Sequence, residues 1–80
     1  MTDAMIQNAI ASSVVGLTRH VMAKYGKPDA EAYRMVYDSE LFKLLSDANT
    51  RLFLSTNKEL SDFLDAEMER GRSALYALLA

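Results

Sequence analysis

Between Tyr33 and Leu64 the large apolar residues recur at helical spacing, but short polar segments interrupt the pattern three times. The interruptions are Asp38-Ser39, segment 47–50 and segment 55–57, and a new apolar pattern follows each of them. Asp, Asn, Ser and Thr side chains bond to nearby backbone in such positions and favour turns and helix starts. The sequence therefore predicts an all-α fold, a compact bundle of about four helices.

Chain length limits how this bundle can be stabilised. Eighty residues make one domain, spanning residues 1–80, and a domain of this size buries only about 60–65% of its unfolded surface. There is no cysteine and a single histidine, so we expect neither disulfides nor a structural zinc site. Well-packed helices or self-association, as a homodimer, remain as sources of stability.

Charge argues against several classes of partner. The formal net charge is −2, which gives no general attraction to nucleic acid or to an anionic membrane. No basic segment precedes the first apolar residues, and no apolar run approaches the ~20 residues of a membrane span. We expect a cytoplasmic protein without a cofactor.

The first helix is predicted over residues 3–25. Thr2 or Asp3 can cap its start, whereas Gly26 and Pro28 favour its end. One stripe at spacings of three and four residues comprises Ile6, Ile10, Val14, Leu17, Val21 and Tyr25.

This helix lacks charge over most of its length. No Asp, Glu, Lys or Arg occurs from Ala4 to Thr18, while Val15 and Met22 widen the apolar arc. The exposed side of a helix normally carries charged residues, so we expect this helix to be central or to self-associate. The candidate interface residues are Ile6, Ile10, Val14, Val15, Leu17 and Met22 here, with Leu75, Leu78 and Leu79 of the C-terminal tail.

The middle of the chain predicts helices over 29–38 and 39–46. Tyr33, Val36 and Tyr37 are expected to form the buried edge of the first of these. Because the apolar stripe stays in phase across Asp38-Ser39, one continuous or bent helix is the alternative. Residues 51–54 favour a short helical turn or an extended crossing.

The last helix is predicted over 57–70 or longer. Thr56 and Glu59 have the spacing of a capping box at its start. Its outer face, with Asp62, Asp65 and Glu69, is expected to be a solvated acidic surface. Gly71 can end this helix, although apolar residues after it stay in phase and allow continuation to the C-terminus.

Residues 31–67 resemble a family of short, uncharacterised bacterial all-helical proteins. The shared pattern is Ala32-Tyr33, Tyr37-x-Ser39-x-Leu41-Phe42-x-x-Leu45-x-Asp47-x-x-Thr50-x-Leu52-Phe53, Ser55, Leu60, Leu64 and Glu67. The family has no assigned activity. Its members resemble accessory proteins encoded beside other small proteins, some of them toxin-like, and the resemblance implies a partner-binding or antitoxin-like role.

Candidate catalytic groups are few. His20 is the only histidine, but no carboxylate lies three or four residues away in the sequence to orient it. Helix capping explains Ser39, Thr50, Ser55 and Thr56. The tyrosines at 25, 33 and 37 are expected to fill core volume, and the alternative is that they line a ligand pocket. We therefore predict no catalytic, cofactor or metal site.

Two functions from different classes are compatible with these features. The first is a non-catalytic protein–protein interaction or regulatory module that acts through the uncharged first helix and the apolar tail. The alternative is a small DNA-binding regulator, because short helices joined by tight turns resemble a helix-turn-helix. The helix predicted over 39–46 offers only Lys43 as a basic contact, so the first interpretation is favoured.

Overall fold

The computed structural model describes residues 2–80, which contain five α-helices, two 3-10 turns and no strand. The elements are α1 (Asp3–Tyr25), α2 (Asp29–Tyr37), α3 (Glu40–Ser46), 3-10 turns at Ala48–Thr50 and Leu52–Leu54, α4 (Asn57–Arg70) and α5 (Arg72–Leu79). The predicted all-α fold is confirmed. The fifth helix arises because the tail after Gly71 forms a helix of its own.

Local signals set both ends of α1. The Thr2 hydroxyl accepts a hydrogen bond from the Met5 amide at 3.2 Å and so caps the first turn. Gly26 ends the helix with a left-handed φ of 66°, which glycine adopts at little cost. The predicted bounds 3–25 are confirmed.

The break between α2 and α3 is real, so one continuous helix over 29–46 is wrong. Ser39 makes the break: its hydroxyl donates to the Val36 carbonyl at 2.6 Å and accepts from the Phe42 amide at 3.1 Å. It therefore closes one helix and caps the next. The chain beyond α3 forms two 3-10 turns, of which the second buries Phe53.

A side chain of α4 binds the start of α3. The Glu67 carboxylate accepts from the amides of Glu40 and Leu41, at 2.8 and 2.9 Å. These amides belong to the first turn of α3, where a carboxylate satisfies donors without helical partners and interacts favourably with the helix dipole. One side chain thus fixes where α3 begins against α4.

Local sequence signals set the start and the end of α4. Thr56 and Glu59 form the capping box, with the Glu59 amide 3.1 Å from the Thr56 hydroxyl and the Thr56 amide 3.0 Å from Glu59 Oε1. Gly71, at a φ of 88°, ends α4, so α4 does not continue to the C-terminus. After this break α5 turns Leu75 into the core.

The core lies where α1 meets α2, α3 and α4. Its buried apolar residues are Ile10, Val14, Leu17, Val21, Ala32, Val36, Leu41, Leu45, Phe53, Leu60, Leu64 and Leu75. Ala32 and Val36 are the residues of α2 that face this core. The prediction that Tyr33 and Tyr37 are buried is wrong, because α2 packs through these smaller side chains and leaves the rings 48% and 50% exposed.

Candidate protein-binding groove along the first helix

A groove runs between α1 and the α2–α3 pair. Its larger part, about 610 Å³, is lined by Gln7, Ile10, Ala11, Val14, Val15, Tyr33, Tyr37, Phe42 and Ser46. A second part, about 420 Å³, shares Val14, Val15 and Tyr33 and adds Thr18, Arg19, Met22 and Asp29. Because the two parts share three residues, we treat them as one feature, the α1–α2 groove.

Three aromatic rings form one wall of the groove. The Tyr33 and Tyr37 ring centroids are 5.4 Å apart, and Tyr37 stacks on Phe42 with centroids 4.3 Å apart. Tyr37 thereby connects α2 to α3 across the Ser39 break. Stacked rings of this kind are rigid and offer apolar faces together with hydroxyl groups at their edges.

The opposite wall is the uncharged part of α1. Val15 is 51% exposed there, and Met22, which lies beyond Arg19 on the same helix, is 38% exposed. Ala11, one helical turn before Val15, contributes a small side chain to the same wall. Exposed apolar residues on both walls of one groove form a contiguous patch, the kind of surface that marks interaction sites.

Charge appears at only one end of the groove. Arg19, on α1, and Asp29, the first residue of α2, are both exposed there. Neither forms an ion pair with another residue of the described chain. This end therefore presents one cation and one anion without partners beside the apolar walls.

The other side of α1 is closed by a polar network with α4. His20 Nε2 lies 2.8 Å from Asp65 Oδ1, and Lys24 Nζ lies 2.9 Å from Asp65 Oδ2. The Tyr25 hydroxyl lies 2.9 Å from a carboxylate oxygen of both Asp65 and Glu69. The prediction of a solvated acidic face on α4 is wrong for Asp65, whose side chain is only 17% exposed because it lies against α1. Glu69 is 51% exposed, as predicted, although it also bonds to α1.

The network holds its carboxylates in the charged form. Burial alone raises the pKa of Asp65, but hydrogen bonds from Lys24, His20 and Tyr25 outweigh it and the pKa is lowered. Hydrogen bonds from Lys24 and Tyr25 lower the pKa of Glu69 in the same way. An ionised carboxylate whose oxygens already bind three side chains is suited to joining helices.

Other polar side chains bond to nearby backbone. The Thr50 hydroxyl lies 2.7 Å from the Leu44 carbonyl, and Asp47 Oδ1 accepts from the Asn49 amide at 3.0 Å. Like Ser39 and Glu67, each of these residues fixes an end of a helix or turn. Within residues 2–80 no group of three or more His, Asp or Glu side chains is arranged to hold a metal.

The structure separates the candidate interface residues of α1 and the C-terminal tail. Four are buried within the single chain: Ile10, Val14, Leu17 and Leu75. Two are half-buried, Ile6 and Leu79. Three are exposed: Val15, Met22 and Leu78. The groove brings Val15 and Met22 together, whereas Leu78 lies apart on α5.

From the sequence, a pocket lined by Tyr33 and Tyr37 was only the alternative to core packing, and nothing indicated the charged end of the groove. The spacing of four residues between Tyr33 and Tyr37 was the available signal, because it places both rings on one side of α2. Which side that is depends on how α2 packs.

The outer side of α3 bears on the alternative of DNA binding. The outer side of α3 carries one basic side chain, Lys43, whose Nζ lies 3.7 Å from Glu40 Oε1. Helices that read the major groove present several basic and amide side chains.

Across residues 2–80, no helix combines the length and apolar character needed to cross a membrane.

No family model matches the sequence, and neither a curated protein nor a solved structure is similar to it. A function for this chain therefore has to be argued from the residues of the groove.

Proposed function

We propose that this chain is a non-catalytic, cytoplasmic protein-interaction module that binds an amphipathic helix in the α1–α2 groove. One observation carries the proposal: Val15, Tyr33 and Tyr37 are about half exposed and face one another across the larger, uncharged part of the groove. A chain of 80 residues has little apolar surface to spare for solvent. Covering this patch therefore stabilises both the chain and the complex it forms.

The groove suits a helix better than an extended segment. An extended peptide usually binds by adding to the edge of a sheet, and the described chain has no strand. An amphipathic helix instead lays one apolar stripe into a groove, with anchors three and four residues apart. Side chains of such a stripe would meet Tyr33, Tyr37 and Phe42 on one wall and Val15 on the other.

The same surface supports a regulatory role. Accessory and antitoxin-like proteins act by holding a partner, and this requires a binding face rather than a reactive centre. The only histidine, His20, is on the closed side of α1 and bonds to Asp65. The groove itself contains hydroxyl, amide and apolar groups with Arg19 and Asp29 at one end, a composition suited to recognition.

The C-terminal tail has a smaller part in this proposal. Leu75 packs in the core, so α5 helps to build the domain that carries the groove. The contact surface is assigned to the exposed side of α1 and the aromatic wall opposite it.

Site-specific photocrosslinking in cells tests the proposal. A photoreactive phenylalanine analogue replaces Val15 in one variant and Leu54 in a matched control, since Leu54 is 57% exposed but lies outside the groove. We expect a discrete crosslinked protein from position 15 and none from position 54. No crosslink at position 15, or the same products from both positions, would contradict the proposal.

A further inference from the structure

We infer that the occupant of the α1–α2 groove is a second copy of this chain, related by a two-fold axis at the Arg19–Asp29 end. This inference rests on the proposed function, because it names the partner of the same groove. In such a dimer Arg19 of each copy meets Asp29 of the other, and the apolar residues beside them pack together.

The charges carry the first part of the argument. Five of the nine Lys and Arg residues, Lys24, Lys27, Lys43, Lys58 and Arg72, form an ion pair within the described chain. Of the four that form none, Arg19, Arg34, Arg51 and Arg70, only Arg19 lines the α1–α2 groove. Arg19 and Asp29 line the same end of the groove, yet no ion pair within the described chain includes either of them. In a two-fold interface, when residue i of one copy contacts residue j of the other, the reverse contact also forms. One unpaired cation and one unpaired anion at a shared end thus make two ion pairs when a copy of the chain is placed there.

The neighbouring residues supply the second part. Val15, Met22 and Tyr33 line this end together with the two charges, and all three are substantially exposed. Placing one copy on the other about this axis covers these three apolar side chains of both chains on either side of the two ion pairs.

Chain size gives the third part. A standard interface buries about 800 Å² on each partner. The chain exposes 5053 Å² in all, so an interface of that size would cover a substantial fraction of it. Oligomerisation is a common way for domains of this length without disulfides to gain stability. A foreign helix would have to bring both a matching anion and a matching cation, whereas a second copy carries them already.

Charge reversal with mixing tests the pairing. R19E and D29R each place like charges at both contacts of their own dimer, and we expect each to raise the dimer dissociation constant at least about tenfold. In an equimolar mixture of the two variants, the mixed dimer has one native pair and one reversed pair of opposite charges. We therefore expect mixing to restore affinity close to that of the wild type, measured by sedimentation velocity with one variant carrying a mass tag.

The control and the contrary outcomes are specific. R70E makes the same charge change at an exposed position of α4 outside the groove and should leave dimerisation unchanged. Failure of the mixture to restore affinity, or unchanged dimerisation of both single variants, would overturn the pairing. A wild-type chain that stays monomeric into the millimolar range would overturn self-association, whereas the proposed function would still hold if Val15 crosslinks to another protein.

Discussion

The two sides of α1 differ in how their exposed groups are used. On the side facing α4, His20, Lys24 and Tyr25 all bond to carboxylates of one neighbouring helix. On the side facing α2, Val15 and Met22 remain exposed beside an aromatic wall. The first side is closed by specific polar contacts within the chain, whereas the second is left open.

This difference separates stability from binding. Polar groups that are partnered within the chain contribute to its folding and have little left to offer another molecule. Exposed apolar groups contribute little to folding until something covers them. We therefore expect substitutions on the α4 side to change the free energy of unfolding, and those on the α2 side to change association.

The largest stability difference is expected between D65A and V15A. D65A removes the acceptor of three side-chain hydrogen bonds and should lower the free energy of unfolding by about 2 kcal/mol. V15A removes a half-exposed side chain from a helix surface and should change it by less than about 0.5 kcal/mol. Urea unfolding of dilute protein measures both, and equal losses in the two variants would show that the two sides of α1 do not differ in this way.

V15E should weaken association without changing stability, whereas D65A should change stability. A carboxylate in the middle of the apolar groove has to be desolvated when a second copy covers the groove. We therefore expect the dissociation constant of the dimer to rise at least about tenfold. The free energy of unfolding of the dilute chain should hardly change. L54E adds the same charge outside the groove and serves as the control. Sedimentation that shows equal weakening by both variants would rule out the groove as the contact surface.

Gly16 adds a further contrast because it lies where α1 and α4 approach closely. A Cβ at this position would lie 2.9 Å from Asn57 Oδ1, so a side chain here has to displace Asn57. Alanine in place of glycine inside a helix is otherwise favourable by about 1 kcal/mol. We expect G16A to give that gain in an N57A background and little or none in the wild type. The same gain in both backgrounds, measured by urea unfolding, would show that α4 does not constrain this site.

The smallest expected effect is the pH dependence that the polar network between α1 and α4 contributes. The pKa values of Asp65 and Glu69 are lowered from ordinary values of 3.8 and 4.5, so their contacts stabilise the fold above those values. That contribution is lost as the pH falls through the lowered pKa values. The hydrogen bonds that Lys24 donates to Asp65 and Glu69 raise its pKa from the ordinary value of 10.5, so its contribution is present below that value and lost as the pH rises through the raised pKa.

A series of urea midpoints against pH measures this dependence. D65N should flatten the acid limb, whereas V15A should keep the wild-type slope. An unchanged acid limb in D65N would contradict the role assigned to the network.

Features encoded by a few adjacent residues could be predicted from the sequence. The ends of α1 depend on Thr2 and Gly26, and the start of α4 depends on Thr56 and Glu59. Each of these signals acts on backbone within about one helical turn, so no knowledge of tertiary packing is needed. The break at Ser39 belongs to the same class, although the apolar stripe that continues across it also allows a single helix.

Features that depend on packing could not be predicted in this way. The partners of Asp65 lie 40 to 45 residues away in the chain, so spacing within α4 could not reveal them. The large apolar rings of Tyr33 and Tyr37 favour a place in the core when the sequence is considered alone. In the structure Ala32 and Val36 fill that position, since small side chains let α2 approach α1. Because α2 turns these small side chains toward the core, Tyr33 and Tyr37 are left on its exposed side and form the aromatic wall of the groove.

Solvent exposure of the Val15 methyl groups distinguishes an open groove from one that a second copy covers. It can be measured by NMR with a soluble paramagnetic agent, in dilute and in concentrated protein, with the Leu54 methyl groups as an internal reference. We predict that the Val15 methyls are exposed when the protein is dilute and protected when it is concentrated, while Leu54 stays exposed throughout. Val15 methyls that remain as exposed as those of Leu54 at every concentration would contradict the claim that a second copy covers the groove.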